Sequence, residues 1–274
     1  MRSRAAIVIV VCLLAGAWML TGLVDSMTFY PSAYPVGRWE LASDLGAEDV
    51  ELEAADGVRL HAWFIPAAEQ PAPVATVFLH GNAGNLSHRE EHIGAITRSG
   101  SDLLILDYRG YGKSAGKPSE QGLYLDAVAG YDWLVARSSA RILCHGESLG
   151  TAVATELATR RPCAGLILEA PFTSRSEMAA QVVPVVGPWV ARGFDTASKI
   201  PSVDAPVWIL HGSRDGVVPQ RLGRRVFEAA REPKQFWSID GAGHNDILVR
   251  AGSEYVRRLQ NFYQGLGGEE PARR

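Results

Sequence analysis

Three residues in this chain have the types, order and settings that acyl transfer needs. Ser148 stands between Gly146 and Gly150 in "GESLG", Asp215 lies in "HGSRDGVVP" and His244 in "GAGHND". A serine hydroxyl is a weak nucleophile until a base takes its proton, and the base needs an acid to orient it. The G-x-S-x-G spacing suits a strained turn from strand to helix that lifts the serine Oγ above a sheet. Glycines two before and two after lack the Cβ atoms that would strike neighbouring strands. The helix that follows would aim its first N–H groups at the same place. A tetrahedral oxyanion then needs donors. The stretch "VFLHGNAGN" offers the Asn82 backbone N–H at a strand end, and Leu149 N–H is the second candidate. Asp246 and Glu169 are rival acids, although Asp246 reads as the start of the last helix and Glu169 as the end of a strand.

These residues must be positioned by strands and helices. "DVELEAADGVRLHAWFIP" alternates about Asp56-Gly57, a hairpin signal. "VATVFLH", "DLLILD", "RILCHG", "GLILEA" and "VWILHG" are short apolar runs, and "KQFWSID" is a further strand. Helices are expected from about Ser87, after Pro118 with Ser119 as N-cap, from Leu149 to Arg160, over Arg221–Ala230 and from Asp246 to Tyr263. Strands alternating with helices, the strands apolar throughout, predict a mainly parallel sheet covered on both faces. Ligands of such sheets bind at the carboxyl ends of the strands. Ser148, Asp215, His244 and Asn82 all follow strands.

Other motifs compete for attention. "GYGKS" ends like a phosphate-binding loop, but the full pattern wants glycine where Asp107 stands. "HREEH" has the spacing of a zinc peptidase, with His88 and His92 as ligands and Glu91 as base. Both histidines would share one face of a helix. The plainer reading is a solvated first helix after the "HGNAGN" loop, and no metal or cofactor is expected. His80 and His211 precede glycines at strand ends and read as loop-shaping residues. Asp107, Tyr108 and Arg109 read as a structural turn. Cys144 is expected at the top of its strand and Cys163 at the bottom of the next, too far apart for a bond, which predicts two free thiols. Cys12 falls in the N-terminal apolar run.

The whole chain has 274 residues, 47% hydrophobic and 21% charged, with a net charge of −3. That suffices for one large core. No basic stripe points to nucleic acid. Residues 1–26 differ in character: Arg2 and Arg4 precede an uncharged run from Ala5 to Val24. About 20 helical residues span roughly 30 Å, a bilayer core. The flanking charges predict the N-terminus inside and the rest exported. The alternative is a cleaved signal peptide with Ala15-Gly16-Ala17 as its small-residue site. Residues 27–46 read as a linker, 47–264 as the main domain and 265–274 as a flexible tail. The oligomeric state is left open.

The stretches "HGNAGN", "DYRGYGKSAGKPSEQGLYLDA", "GESLG", "EAPFTS", "HGSRDGVVP" and "GAGHND" resemble the α/β-hydrolase superfamily. More closely, they resemble its membrane-anchored, serine-aminopeptidase-like branch, which includes palmitoyl-protein thioesterases. The resemblance implies an eight-stranded, mainly parallel sheet with a short lid at about 171–203. It implies Ser148 as nucleophile, Asp215 as acid, His244 as base, and an oxyanion hole at Asn82 and Leu149. Those thioesterases carry an N-terminal cysteine cluster, where this chain has an apolar segment instead. The lid segment includes "MAAQVVPVVGPWV", apolar and broken by prolines. It points to a small-molecule or lipid-like acyl substrate. The expected activity is cleavage of a carboxylic ester or thioester. A serine peptidase is the alternative and would need a carboxylate, such as Glu147, Glu169 or Glu177, for the substrate amine. A non-catalytic binding module is the third reading.

Overall fold

A computed structural model describes residues 28–185 and 187–266. The first part of the chain forms β1 (Tyr30–Pro31), α1 (Leu41–Asp44), β2 (Glu48–Glu53), β3 (Arg59–Ile65), β4 (Val74–Leu79), β5 (Ala83–Gly84), α2 (Glu90–Arg98) and β6 (Ser101–Leu106). Then follow α3 (Glu120–Arg137), β7 (Arg141–Glu147), α4 (Leu149–Arg160) and β8 (Gly165–Glu169). The lid segment carries α5 (Arg175–Val182), α6 (Gly187–Val190) and α7 (Thr196–Lys199). Last come β9 (Val207–Gly212), α8 (Gln220–Ala229), β10 (Lys234–Ile239), α9 (Ile247–Ala251) and α10 (Ser253–Gly265).

The apolar runs become an eight-stranded sheet in the order β10-β9-β8-β7-β4-β6-β3-β2. Only β3 runs antiparallel to its neighbours β2 and β6. Side chains on a strand alternate between faces. Along β4, Ala75, Val77 and Leu79 enter one core with α3, α4 and α8, while Val74 and Phe78 enter the other with α2 and α10. Both faces are covered, so β4, β6 and β9 are buried at every position. From β4 the chain crosses to β6 on one side and then to β7 on the other. The loops after β4 and β7 therefore flank one crevice, the place where such sheets bind ligands.

Four expectations need correction. Cys144 and Cys163 form a disulfide with Cα atoms 5.9 Å apart. β7 runs on to Glu147, so Cys144 is in mid-strand, and Ala164 N–H bonds Ile142 O at 2.7 Å, which draws Cys163 alongside. Residues 28–46 are packed on the domain and do not form a free linker. Phe29 is buried with its ring 6.1 Å from that of Phe194, β1 pairs with β5, and Leu41 is buried. Leu86–His88 is a single 3-10 turn capped by the Asn85 side chain, so α2 starts at Glu90. The last helix is broken at Gly252, whose φ of +55° lies outside helical geometry. Residues 1–26, with Cys12, lie outside the described residues, as do 267–274 of the tail. Among the described residues no helix is long and apolar enough to cross a membrane.

Candidate active site

β7 ends at Glu147 and α4 begins at Leu149, leaving Ser148 alone in the turn with φ +51° and ψ −113°. Such a conformation is costly for a residue with a Cβ, on the order of 1–3 kcal/mol, and needs its surroundings to hold it. They do so here: Ser148 N–H bonds Glu169 O at 2.9 Å, and its carbonyl accepts Thr151 N–H at 3.0 Å and the Thr151 hydroxyl at 2.6 Å. The flanking glycines are required by contact. A Cβ on Gly146 would lie 2.3 Å from Gly150 O, and one on Gly150 would lie 1.8 Å from Leu79 O.

His244, in the loop after β10, reaches Ser148 Oγ with Nε2 at 3.0 Å. Its Nδ1 is 2.7 Å from Asp215 Oδ2. Asp215 follows β9, and its Oδ1 accepts the Val217 and Val218 N–H groups at 2.9 and 2.8 Å. Burial would raise the Asp215 carboxyl. Contacts from His211, His244 and the Val218 N–H outweigh burial and hold it far below the ordinary value. The short contact of His211 Nε2 is to Val218 O at 2.8 Å, with Asp215 Oδ2 more distant at 3.4 Å, so His211 mainly fixes the loop. The structure thus brings Ser148, His244 and Asp215 into one hydrogen-bonded row. The rival acids are elsewhere: Asp246 bonds Gly243 N–H and Arg250, and Glu169 is buried beneath the turn.

Asn82 lies just beyond β4, and Leu149 opens α4, where its N–H has no acceptor within the helix. β4 and β7 are parallel neighbours with Leu79 opposite Gly146, so Asn82 and Leu149 each stand three residues past the same level. Both ends of the Asn82 side-chain amide are engaged. Oδ1 accepts the Tyr111 hydroxyl at 2.9 Å and Tyr30 N–H at 3.2 Å, and Nδ2 donates to Thr28 O at 2.5 Å. His80 is buried, with Nδ1 2.7 Å from Gly81 O. In the turn after β6, Arg109 is clasped by Asp126 and Asp56.

Sequence reasoning missed two clusters around the serine. Glu147 accepts Gly81 N–H at 3.0 Å and pairs with Arg89 Nε at 3.0 Å. Below it, Glu169 meets His145 at 2.6 Å, the Tyr255 hydroxyl at 2.5 Å and His92 at 3.3 Å. Burial would raise Glu169, but His92 and His145 more than offset that and push it far down. The sequence offers Glu147 as an amine-binding group and Glu169 as that or a rival acid, and neither reading anticipates these contacts. The zinc-like pair is split: His88 closes the 3-10 turn and bonds Asn85, while His92 turns inward to Glu169. Among the described residues no group of three or more His, Cys, Asp or Glu could hold a metal ion. Cavities of about 280 and 520 Å³ open near Trp208 and Gln235 and near Pro71 and Arg141, at the amino ends of strands and away from Ser148.

Comparison with known proteins bears on the family and the fold. A family model described as "Serine aminopeptidase, S33" matches residues 70–198. The uncharacterized protein MT2364 of Mycobacterium tuberculosis (strain CDC 1551 / Oshkosh) is 39% identical over 273 residues, 95% of each chain. The alpha/beta hydrolase domain-containing protein WAV2 of Arabidopsis thaliana is 32% identical, covering 93% of this chain and 92% of its own. The fold matches that of the Pyrococcus furiosus esterase PF2001 with a TM-score of 0.73 at 22% identity, over 87% of this chain and 98% of that one. With a parallel sheet, a serine turn at its crevice and relatives this similar over nearly their whole length, the chain belongs to the α/β-hydrolase superfamily.

Proposed function

We propose that this hydrolase cleaves a carboxylic ester or thioester through an acyl-enzyme on Ser148. One observation carries the reading: the unbroken row from Ser148 Oγ through His244 to the buried Asp215 carboxylate. His244 takes the Ser148 proton as Oγ attacks the acyl carbon, and the same proton then goes to the leaving group. Asp215 holds the imidazole tautomer and stabilises the imidazolium. The Asn82 and Leu149 N–H groups stabilise the tetrahedral oxyanion. Water deprotonated by His244 releases the acid. None of these steps calls for a cofactor.

An ester or thioester is favoured over an aminopeptidase substrate because the nearby carboxylates are committed. Glu147 holds Gly81 and Arg89, Glu169 holds two histidines, and Glu177 holds Thr173 and Arg225. The lid leaves Val182, Val185 and Trp189 largely exposed, which suits a lipid-like acyl group. The apolar run Ala5–Val24 favours a membrane-attached enzyme with its domain on the exported side, or a secreted form if it is cleaved.

The test is turnover of p-nitrophenyl esters of graded chain length by the full chain and by Ser148→Ala. The variant is expected to lose about 10⁶ in kcat, and wild type to prefer medium or long chains. Equal turnover by both would exclude Ser148 as nucleophile. A preference for acetyl would exclude a lipid-like acyl group.

A further inference from the structure

The residue preceding the nucleophile reaches across the crevice to the other half of the site. Glu147 Oε2 accepts Gly81 N–H at 3.0 Å, and the two residues are 66 positions apart in the chain. The same oxygen is 3.0 Å from Arg89 Nε, while Arg89 Nη2 donates to Ala83 O at 2.6 Å. Gly81 and Ala83 are the neighbours of Asn82 on either side. One carboxylate thus holds the N–H of Gly81, one residue before Asn82, directly and the carbonyl of Ala83, one residue after it, through Arg89. The space is close-fitting: a Cβ on Gly81 would lie 3.2 Å from the Glu147 carboxyl carbon. The pair is largely shielded, with Arg89 at 13% and Glu147 at 23% side-chain exposure. Burial would raise the Glu147 carboxyl, but Arg89 and His92 outweigh it and keep it an anion, the form that can accept from Gly81 while pairing with Arg89.

We infer that Glu147 is a positioning residue, which with Arg89 clips the Asn82 loop to the serine turn and so sets the spacing of the two oxyanion donors. This rests on the hydrolase reading above. An oxyanion hole built from two separate loops works only if both N–H groups lie 2.7–3.1 Å from the oxyanion. Errors of about 1 Å at such groups cost on the order of 10²-fold. Because Glu147 is joined directly to Ser148, the clip references the Asn82 donor to the nucleophile itself.

The experiment uses the full chain, with Glu147→Ala, Glu147→Gln and Arg89→Ala compared by ester kinetics, fluorophosphonate labelling and inhibition by a trifluoromethyl ketone. The ketone's hemiketal places an oxyanion in the hole. Glu147→Ala is expected to lower kcat about 10- to 100-fold with KM within twofold, and to weaken the ketone by a similar factor. Glu147→Gln keeps an acceptor for Gly81 N–H and is expected to regain at least half of that loss on a logarithmic scale. Arg89→Ala tests the same loop without touching the serine turn, should Glu147→Ala melt cooperatively only at low temperature. Wild-type kcat and ketone affinity in both alanine variants would overturn the proposal, as would a kcat loss that leaves ketone affinity unchanged. Wild-type protein that neither turns over esters nor is labelled at Ser148 would sink the hydrolase reading and the clip with it. Equal labelling rates for wild type and Glu147→Ala would sink the clip alone.

Discussion

At the residue scale, the site depends on side chains that are individually strained or buried and jointly satisfied. Ser148 adopts a positive φ because Glu169 O and Thr151 hold its two peptide groups. Asp215 can be buried as an anion because two N–H groups and two imidazoles surround it. Asp215→Asn keeps the shape and loses the charge, so kcat on esters is expected to fall on the order of 10⁴. The same change has a pH signature. The folded carboxyl ionises well below its unfolded value near 3.8, so its stabilisation is present above that pH and is lost as pH falls through the depressed value. The acid limb of the melting temperature should therefore be shallower in Asp215→Asn than in wild type. A variant with undiminished kcat would show that another acid serves His244.

At the element scale, the segment between the apolar N-terminal run and the main sheet is part of the site's scaffold. Tyr30 N–H and Thr28 O grip the Asn82 side chain, Ser32 N–H bonds Gly84 O at 2.9 Å, and Asn85 Nδ2 donates to Ser32 O at 2.9 Å. The loop carrying the proposed oxyanion donor is therefore held by the strap on one side and by Glu147 and Arg89 on the other. A chain lacking 1–36 should fold, since the eight-stranded sheet begins at Glu48. Its kcat should nonetheless be at least tenfold below that of a chain lacking 1–26, assayed well below both melting midpoints. Equal kcat in the two truncations would show that the strap is only packing.

At the scale of the whole molecule, the disulfide bears on where the protein works. Cys144 and Cys163 are 19 residues apart, and closing a loop of that size stabilises by about 3 kcal/mol in the chain-entropy account. Such bonds persist in oxidising compartments, which supports the exported placement argued from residues 1–26. Reduction is expected to lower unfolding stability by about that amount in urea titrations. An unchanged midpoint with the thiols shown to be free would remove this support. The exposed lid valines suit the apolar acyl chain proposed above.

Much of this was legible in the chain itself. Period and apolarity specify the central strands, because a strand buried on both faces admits little else. The glycines about Ser148 mark the turn because any Cβ there would overlap backbone. The order of Ser148, Asp215 and His244 at strand ends marks the row they form. Tertiary structure alone decided what depends on register between distant segments. The length of β7 put Cys144 in mid-strand and within reach of Cys163. The pairing of β1 with β5 turned an expected linker into a strap. The adjacency of β4 and β7 brought Glu147 to Gly81, and the inward turn of α2 brought His92 to Glu169. Local propensity acts over a few residues, and these contacts join positions 19 to 77 apart, so only the packed sheet could select them.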